Sequence, residues 1–357
     1  MKLVLLILTI VILVLIERKW EGYVKQSLSF SGKCDRLMAE PDQVVTWTST
    51  VTNNGNLPVP YVRMIQRFSS PSKPEESPEW IRKHCIRIVT RWRVDRLISL
   101  LPGKSIDLPV RFSVPSRGIH AVGGCNLSTG DILGLKTAET TEHWGEIVVL
   151  PKRCDKPPVL DAVGGFLGDV SVRRFIMEDP VLTVGFREYT GREPMKAISW
   201  TRSASSGMLQ VRQYDHTAEQ HLVVLLNVED GTEEQLEECF SVTRTVCEEL
   251  ERKKIPYGFR TNGSLPNGTV KVFHLPKGLG AQHLNTILYG LGAADYTCFE
   301  SFRRLSVKAL RSRSVYESYI VITPPLSDAA KAAADTLSQA VGGRICVLEC
   351  KGEVRSE

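Results

Sequence analysis

The stretch HLVVLLNVEDGTEE (His221–Glu234) is an apolar run that stops at a cluster of short polar residues and then opens onto a helical pattern. An apolar run as short as Leu222–Leu226, bounded by turn residues, reads as a buried strand. From Glu233 to Lys253 the period changes. Leu236, Cys239, Phe240, Val246, Cys247 and Leu250 fall near one stripe, with Glu234, Glu237, Glu238, Glu248, Glu249 and Arg252 over the remainder. That is an amphipathic helix with one face for a sheet.

Working outward toward higher numbers, strand and helix keep alternating. Pro256–Arg260 and Val270–His274 read as strands, Leu284–Leu291 as helix core and Phe302–Arg311 as a further helix. Ser318–Thr323 is a buried strand, Ala329–Val341 an alanine-rich helix and Arg344–Glu349 a last strand. This order predicts an open α/β domain over residues 217–357 with a mainly parallel sheet. In such sheets the functional loops lie at the carboxyl ends of the strands, so Asn227, Glu229 and Asp230 are candidate site residues.

Toward lower numbers the pattern differs. Asp42–Val51, Pro60–Phe68, His84–Val94 and Ser105–Pro115 are β-rich runs separated by Gly, Pro and Asn clusters. They predict an immunoglobulin-like β-sandwich over residues 27–155. Ser69–Glu79, rich in Pro, Ser and Glu, is expected as an exposed loop. The sequons at Asn126, Asn262 and Asn267 are read as turn chemistry in preference to glycosylation acceptors.

At the beginning of the chain, Leu3–Ile16 is apolar except for Thr9. At 1.5 Å per residue it spans about 21 Å against a hydrocarbon core of about 30 Å. A signal peptide, a buried core helix and a short membrane anchor compete for it. No A-x-A site follows and no polar face is present, which favours an anchor over residues 1–26, lengthened by Met1, Trp20 and flanking basic side chains. Arg18, Lys19 and Lys25 outnumber Lys2, so the expectation is a single-pass cell-membrane protein with its soluble domains in the cytoplasm.

The overall balance is that of a folded chain of 357 residues, with 45 basic and 40 acidic side chains spread without a basic block. Nucleic acid is therefore not the expected partner. The nine cysteines form no C-x-x-C pair, and reduced structural thiols are the simple reading. G-x-S-x-G, G-x-x-x-x-G-K-[ST] and H-E-x-x-H are all missing, which argues against the enzyme classes they serve.

Between the two domains, Phe186–Asp215 is dense in aromatic and charged residues. Ile198 and Trp200 follow Lys196 and Glu193, and then come Ala204, Ser205, Leu209 and Val211. This segment resembles the G-D-x-x-R-x-I-x-W, A-R and L-x-V marks of the bacterial family called domain of unknown function 58. Lys196 and Glu193 stand where arginine and aspartate are common, Gly191 is one place early, and Ser205 replaces the second arginine. Arg117-Gly118 and Gly130–Leu135 are similar to the family's upstream R-G and D-P-F-G-L segments. The resemblance implies an immunoglobulin-like region joined to a von Willebrand factor A-like domain, membrane anchoring, and association with MoxR-type AAA ATPases.

A metal-binding von Willebrand factor A-like domain offers D-x-S-x-S at the end of its first strand. Here those places hold Asn227, Glu229 and Gly231, Gly278–Gln282 lacks the expected threonine, and Thr323-Pro324-Pro325 lacks the aspartate. The set is short of the hard oxygen ligands Mg²⁺ requires, so no cofactor is expected and the acids there would meet a cationic or donor-rich protein surface. Over residues 156–216, Glu193, Lys196, Ile198, Trp200 and Arg202 read either as an inter-domain clamp with Trp200 buried or as a recognition surface for a protein partner. The expected function is a non-enzymatic, membrane-anchored interaction or assembly factor working with a MoxR-type ATPase. A metal-dependent binding module and a structural tether are the alternatives.

Overall fold

The computed structural model describes residues 22–23, 26–88, 91–130, 137–174, 179–191, 193–215, 221–263, 274–311, 317–341 and 345–352. The chain divides into two compact units, one up to Lys152 together with Leu291–Ala293, the other made by the remaining residues from Arg153 onward.

The first unit holds β1 (Leu28–Cys34), β2 (Met38–Ala39), β3 (Val45–Asn53), β4 (Val59–Ser69), β5 (Lys73–Pro74), α1 (Pro78–His84), β6 (Cys85–Ile88), β7 (Arg91–Leu100), β8 (Ser105–Ser113), β9 (Gly118–Gly130) and β10 (Thr137–Val149). They form a four-stranded sheet, β1-β3-β8-β5, and a six-stranded sheet, β2-β10-β9-β4-β7-β6. Every second residue of β3 is buried, the period that puts one face of a strand on a core. Val45, Trp47, Val110 and Phe112 from one sheet meet Phe68, Trp92, Val94, Val122 and Ile147 from the other in a shared core, so the sheets pack face to face.

One reading of this unit is corrected and one refined. His84–Val94 is not one strand: His84 ends α1, and β6 and β7 form an antiparallel hairpin pairing Cys85 with Val94 and Ile88 with Arg91. The helix has its own start signal, because Pro78 occupies the first turn and Ser77 Oγ accepts from Trp80 N at 3.3 Å. Ser69–Glu79, expected as an exposed loop, has no buried residue but is tied to the sandwich and contains the short strand β5. Trp92 Nε1 donates to Ser72 O at 3.1 Å, Glu75 N donates to Arg111 O at 2.9 Å, and Lys73-Pro74 pairs with β8.

The second unit contains α2 (Pro157–Arg174), β11 (Asp179–Glu188), a 3-10 turn (Met195–Ala197), α3 (Trp200–Ser206), β12 (Gln210–Asp215), β13 (His221–Leu226), α4 (Glu233–Arg252), β14 (Tyr257–Thr261), β15 (His274–Gly278), α5 (Ala281–Ala293) up to Gly290, α6 (Phe302–Arg311), β16 (Glu317–Thr323), α7 (Asp328–Ala340) and β17 (Ile345–Glu349). The main sheet runs β15-β14-β13-β16-β17, parallel throughout except for antiparallel β15. All of β16 is buried, as a central strand covered on both faces requires. Val223, Leu225, Tyr319 and Val321 pack with Phe302 and Leu305 of α6 and with Ala333 and Leu337 of α7. Of the strand expected at Val270–His274 only His274 is among the described residues, where it opens β15.

The expected membrane-anchored class and single-pass localisation are corrected. Among the described residues no helix is long and apolar enough to cross a membrane. The two long helices, α2 with 18 residues and α4 with 20, carry charged side chains, such as Asp161 in α2 and the glutamates of α4. The run Leu3–Ile16 itself lies outside the described residues, as do Asp131–Leu135 and Asn267.

Candidate functional site

The carboxyl edge of the parallel sheet brings three strand ends together. Asn227 follows β13, Asn262 follows β14 and Thr323 ends β16. All three are buried. Asn227 Nδ2 donates to Thr323 Oγ1 at 2.9 Å, while Asn262 Nδ2 donates to Asn227 Oδ1 at 2.7 Å and to Glu300 O at 3.0 Å. Asn227 Oδ1 also accepts from Glu229 N at 3.0 Å, and Asn262 Oδ1 from Val228 N at 2.9 Å. The amides are thus committed to buried neutral partners, which fixes the turn after β13.

Glu229 turns away from any role at the sheet end. Its Oε2 accepts from Phe302 N at 2.6 Å, a carboxylate cap at the positive end of α6. Asp230 is exposed with φ 59, and the space beside Gly231 is filled, since a Cβ there would lie 2.6 Å from Leu236 Cδ2. Thr232 then opens α4 with a capping box shared with Gln235. The donor set does not fit a divalent ion: the asparagine amides are neutral and mutually bonded, the Glu229 carboxylate serves a helix N-terminus, that of Glu300 pairs with Lys308, and Asp230 is exposed. Sequence reasoning passed over Asn262 as a partner, although its position after β14 matches that of Asn227 after β13. Buried as it is, its amide has no room for a glycan.

The segment carrying the family-like motif folds on the antiparallel pair β11 and β12. Ile198 is buried and bridges to Val211, and Ser199 N donates to Gln210 O at 2.8 Å, so the 3-10 turn and α3 are tied to β12. Ser203 Oγ completes the tie, accepting from Gln210 N at 2.8 Å. Trp200 at the start of α3 is 61% exposed. The clamp reading with a buried Trp200 therefore fails: the side chain that faces inward is Ile198, two residues earlier.

Glu193 pairs with Arg187 at 2.6 Å and accepts from Thr190 Oγ1 at 2.8 Å and Thr190 N at 3.1 Å. The Thr190 hydroxyl first, and the Arg187 guanidinium after it, hold the Glu193 carboxyl down at about 2. Lys196 is exposed, and Arg202 stacks over Phe186 with its guanidinium carbon 5.2 Å from the ring centre. Arg187, Thr190 and Phe186 were not singled out from sequence. The signal available was the place of Phe186 and Arg187 on β11, which pairs with β12, and of Thr190 just after it. Met195 at 68% and Met208 at 55% exposure, with Leu209 and Phe186, add apolar surface to Trp200 in this segment.

None of the perturbed thiols is arranged as a nucleophile. Burial pushes up Cys34, Cys154, Cys247, Cys298 and Cys346, takes Cys85 to about 11 and Cys125 to about 12, and at Cys298 the charges of Glu229, Asp230 and Glu300 add to the rise. An activated cysteine needs the opposite shift.

No family model matches the chain, and no curated protein matches it. Solved structures show weak similarity to parts of it. A b-glucosidase from Erythrobacter marinus matches with TM-score 0.20 and 12% identity over 35% of this chain and 15% of its own. The CARDB domain of the PF1109 protein from Pyrococcus furiosus matches with TM-score 0.22 and 12% identity over 34% of this chain and 87% of its own. Spo0M, a sporulation control protein from Bacillus subtilis, matches with TM-score 0.21 and 13% identity over 46% of this chain and 58% of its own. At these TM-scores none of them carries an argument.

Proposed function

We propose that this chain is a non-enzymatic protein-interaction factor that meets its partner through the segment Phe186–Asp215. The observation that carries the reading is Trp200, a large amphipathic side chain left 61% exposed. Beside it in the segment stand the exposed Met195, Met208 and Leu209 and a stacked arginine. Tryptophan and arginine are enriched among the residues that dominate binding energy at protein interfaces, and methionine adapts to irregular partner surfaces. The tie of Ile198, Ser199 and Ser203 to β12 holds this group in place before a partner arrives, which lowers the ordering cost of association.

The resemblance to the domain of unknown function 58 family supports a MoxR-type AAA ATPase as the partner class. The test is titration of a purified MoxR-type ATPase against the full chain, its Trp200→Ala variant and its Lys196→Ala variant. The expectation is saturable binding that Trp200→Ala weakens at least tenfold. No binding to the wild-type chain overturns the choice of partner, whereas binding untouched by Trp200→Ala overturns the choice of surface.

A further inference from the structure

The outer face of the six-stranded sheet gathers arginines that the sequence spreads over residues 63–93. In β7, Trp92 and Val94 belong to the sandwich core, so Arg91, Arg93, Asp95 and Leu97 point the other way. In the neighbouring β4, Phe68 is in the core and Arg63 and Arg67 stand on that same outer face, Arg67 directly opposite Arg93. Together β4, β6 and β7 contain six arginines and one acidic residue, Asp95. Arg63 takes that carboxylate, with Nε donating to Oδ1 at 2.9 Å. Arg96 is engaged elsewhere, its guanidinium carbon 4.9 Å from the centre of the Trp80 ring and its Nη2 donating to Pro109 O at 2.6 Å. Among the described residues Arg87, Arg91 and Arg93 have no carboxylate bound to them, and Arg93 Nε is buried with no acceptor.

Beside these arginines the sheet ends. Among the described residues β6 pairs with β7 alone, so one row of its main-chain N–H and C=O groups points away from the sheet. Ile86 and Ile88 stand opposite Arg93 and Arg91 and are 43% and 50% exposed. Arg87, between them, is exposed on the opposite side of the strand. An open edge with apolar side chains along it is a template for an added strand, and the uncompensated cations decide which kind. A second copy of β6 would bring arginine to arginine, and like charges across a strand pair are destabilising. The one aromatic ring of the β6–β7 hairpin, Trp92, is buried in the core, so the hairpin lacks the stacking platform that single-stranded nucleic acid uses.

We propose that β6 is a docking edge for an extended acidic peptide segment of a protein partner, which adds to the sheet as a further strand. Main-chain hydrogen bonds along Ile86–Ile88 hold the segment, and its side chains alternate between the two faces. On the outer face carboxylates meet Arg91 and Arg93 while apolar groups cover Ile86 and Ile88. On the other face a carboxylate meets Arg87. Guanidinium and carboxylate match as a two-bond fork, so these pairs select acidic residues as well as attract them. The edge lies in the first unit, and the inference does not rest on the role given to Trp200.

The test titrates the full chain into a fluorescent peptide of alternating glutamate and valine, read by anisotropy, and follows amide hydrogen exchange in the complex. The expected result is saturable binding that Arg91→Gln combined with Arg93→Gln weakens at least tenfold, with added protection of the amides of Ile86–Ile88. The same peptide methylated on every backbone nitrogen keeps its charges and loses its strand-pairing donors, and it should bind at least tenfold more weakly. Equal binding of the methylated peptide overturns strand addition, and it does so on the wild-type chain even where the arginine variant impairs folding. Tighter binding of an oligothymidylate or of phosphatidylserine vesicles than of the peptide overturns the choice of partner. Protection confined to other segments, or no binding of the peptide, overturns the proposal outright.

Discussion

Trp47 shows how one side chain fixes its surroundings. Its indole is buried in the sandwich core, with Nε1 donating to Ser49 Oγ at 2.9 Å, and three glycines from other strands lie against the ring. A Cβ on Gly32, Gly123 or Gly145 would come within 2.3, 2.1 and 2.1 Å of it. Gly123 also has φ +68, a conformation that strains any other residue. Gly123→Ala is expected to destabilise the first unit by about 3 kcal/mol, measured by urea unfolding. At Glu193 the expected effect is on pH dependence. Its carboxyl is held at about 2 against an ordinary 4.5, so its stabilising contribution is complete above about 4.5 and is lost as pH falls toward 2. Resolved by NMR, the wild-type residue should titrate near 2, and Glu193→Gln should flatten the acid limb of local hydrogen exchange around Thr190.

At the scale of elements, the loops after β13 and β14 and the end of β16 are joined through two asparagine amides. Asn262→Ala removes three buried side-chain hydrogen bonds, taking these partners from Val228 N and Glu300 O while Asn227 Oδ1 keeps Glu229 N. The expected cost is about 3 kcal/mol, with raised hydrogen exchange after β13 as the local sign. Helix α4 has a separate anchor in its capping box, and Thr232→Ala should cost about 1 kcal/mol in thermal unfolding. Deeper in the same helix, Arg244 has a side chain only 2% exposed and bonds Glu248 at 2.9 Å, a carboxylate that also holds Arg153 at 2.8 Å. A cation so buried requires pairing of this kind.

Across the whole molecule, each unit has its own apolar core, and Trp200 belongs to neither. Its exposure separates stability from recognition. Trp200→Ala should leave the unfolding midpoint of the chain within about 0.5 kcal/mol of wild type while weakening partner binding at least tenfold. A large loss of stability in this variant would instead place Trp200 among the structural contacts. Thermal unfolding and binding measured on the same preparation distinguish the two outcomes.

The sequence by itself determined where most elements lie. β-rich runs between turn clusters marked β3, β4 and β8, the five-residue apolar run Leu222–Leu226 marked β13, and the charged-apolar stripe from Glu233 marked α4, because these patterns are local and record which face meets a core. It did not separate α1 from β6, since the β-rich composition after His84 masked a helix whose start signal lies upstream at Ser77. Only tertiary structure decided which polar groups meet. Asn227 finds Thr323 at a separation of 96 residues and Asn262 at 35, and Trp200 stays outside while Ile198 fills the space against β12. Hydrogen-bond valence and exposure depend on atoms brought in from distant parts of the chain, and no local pattern carries that information.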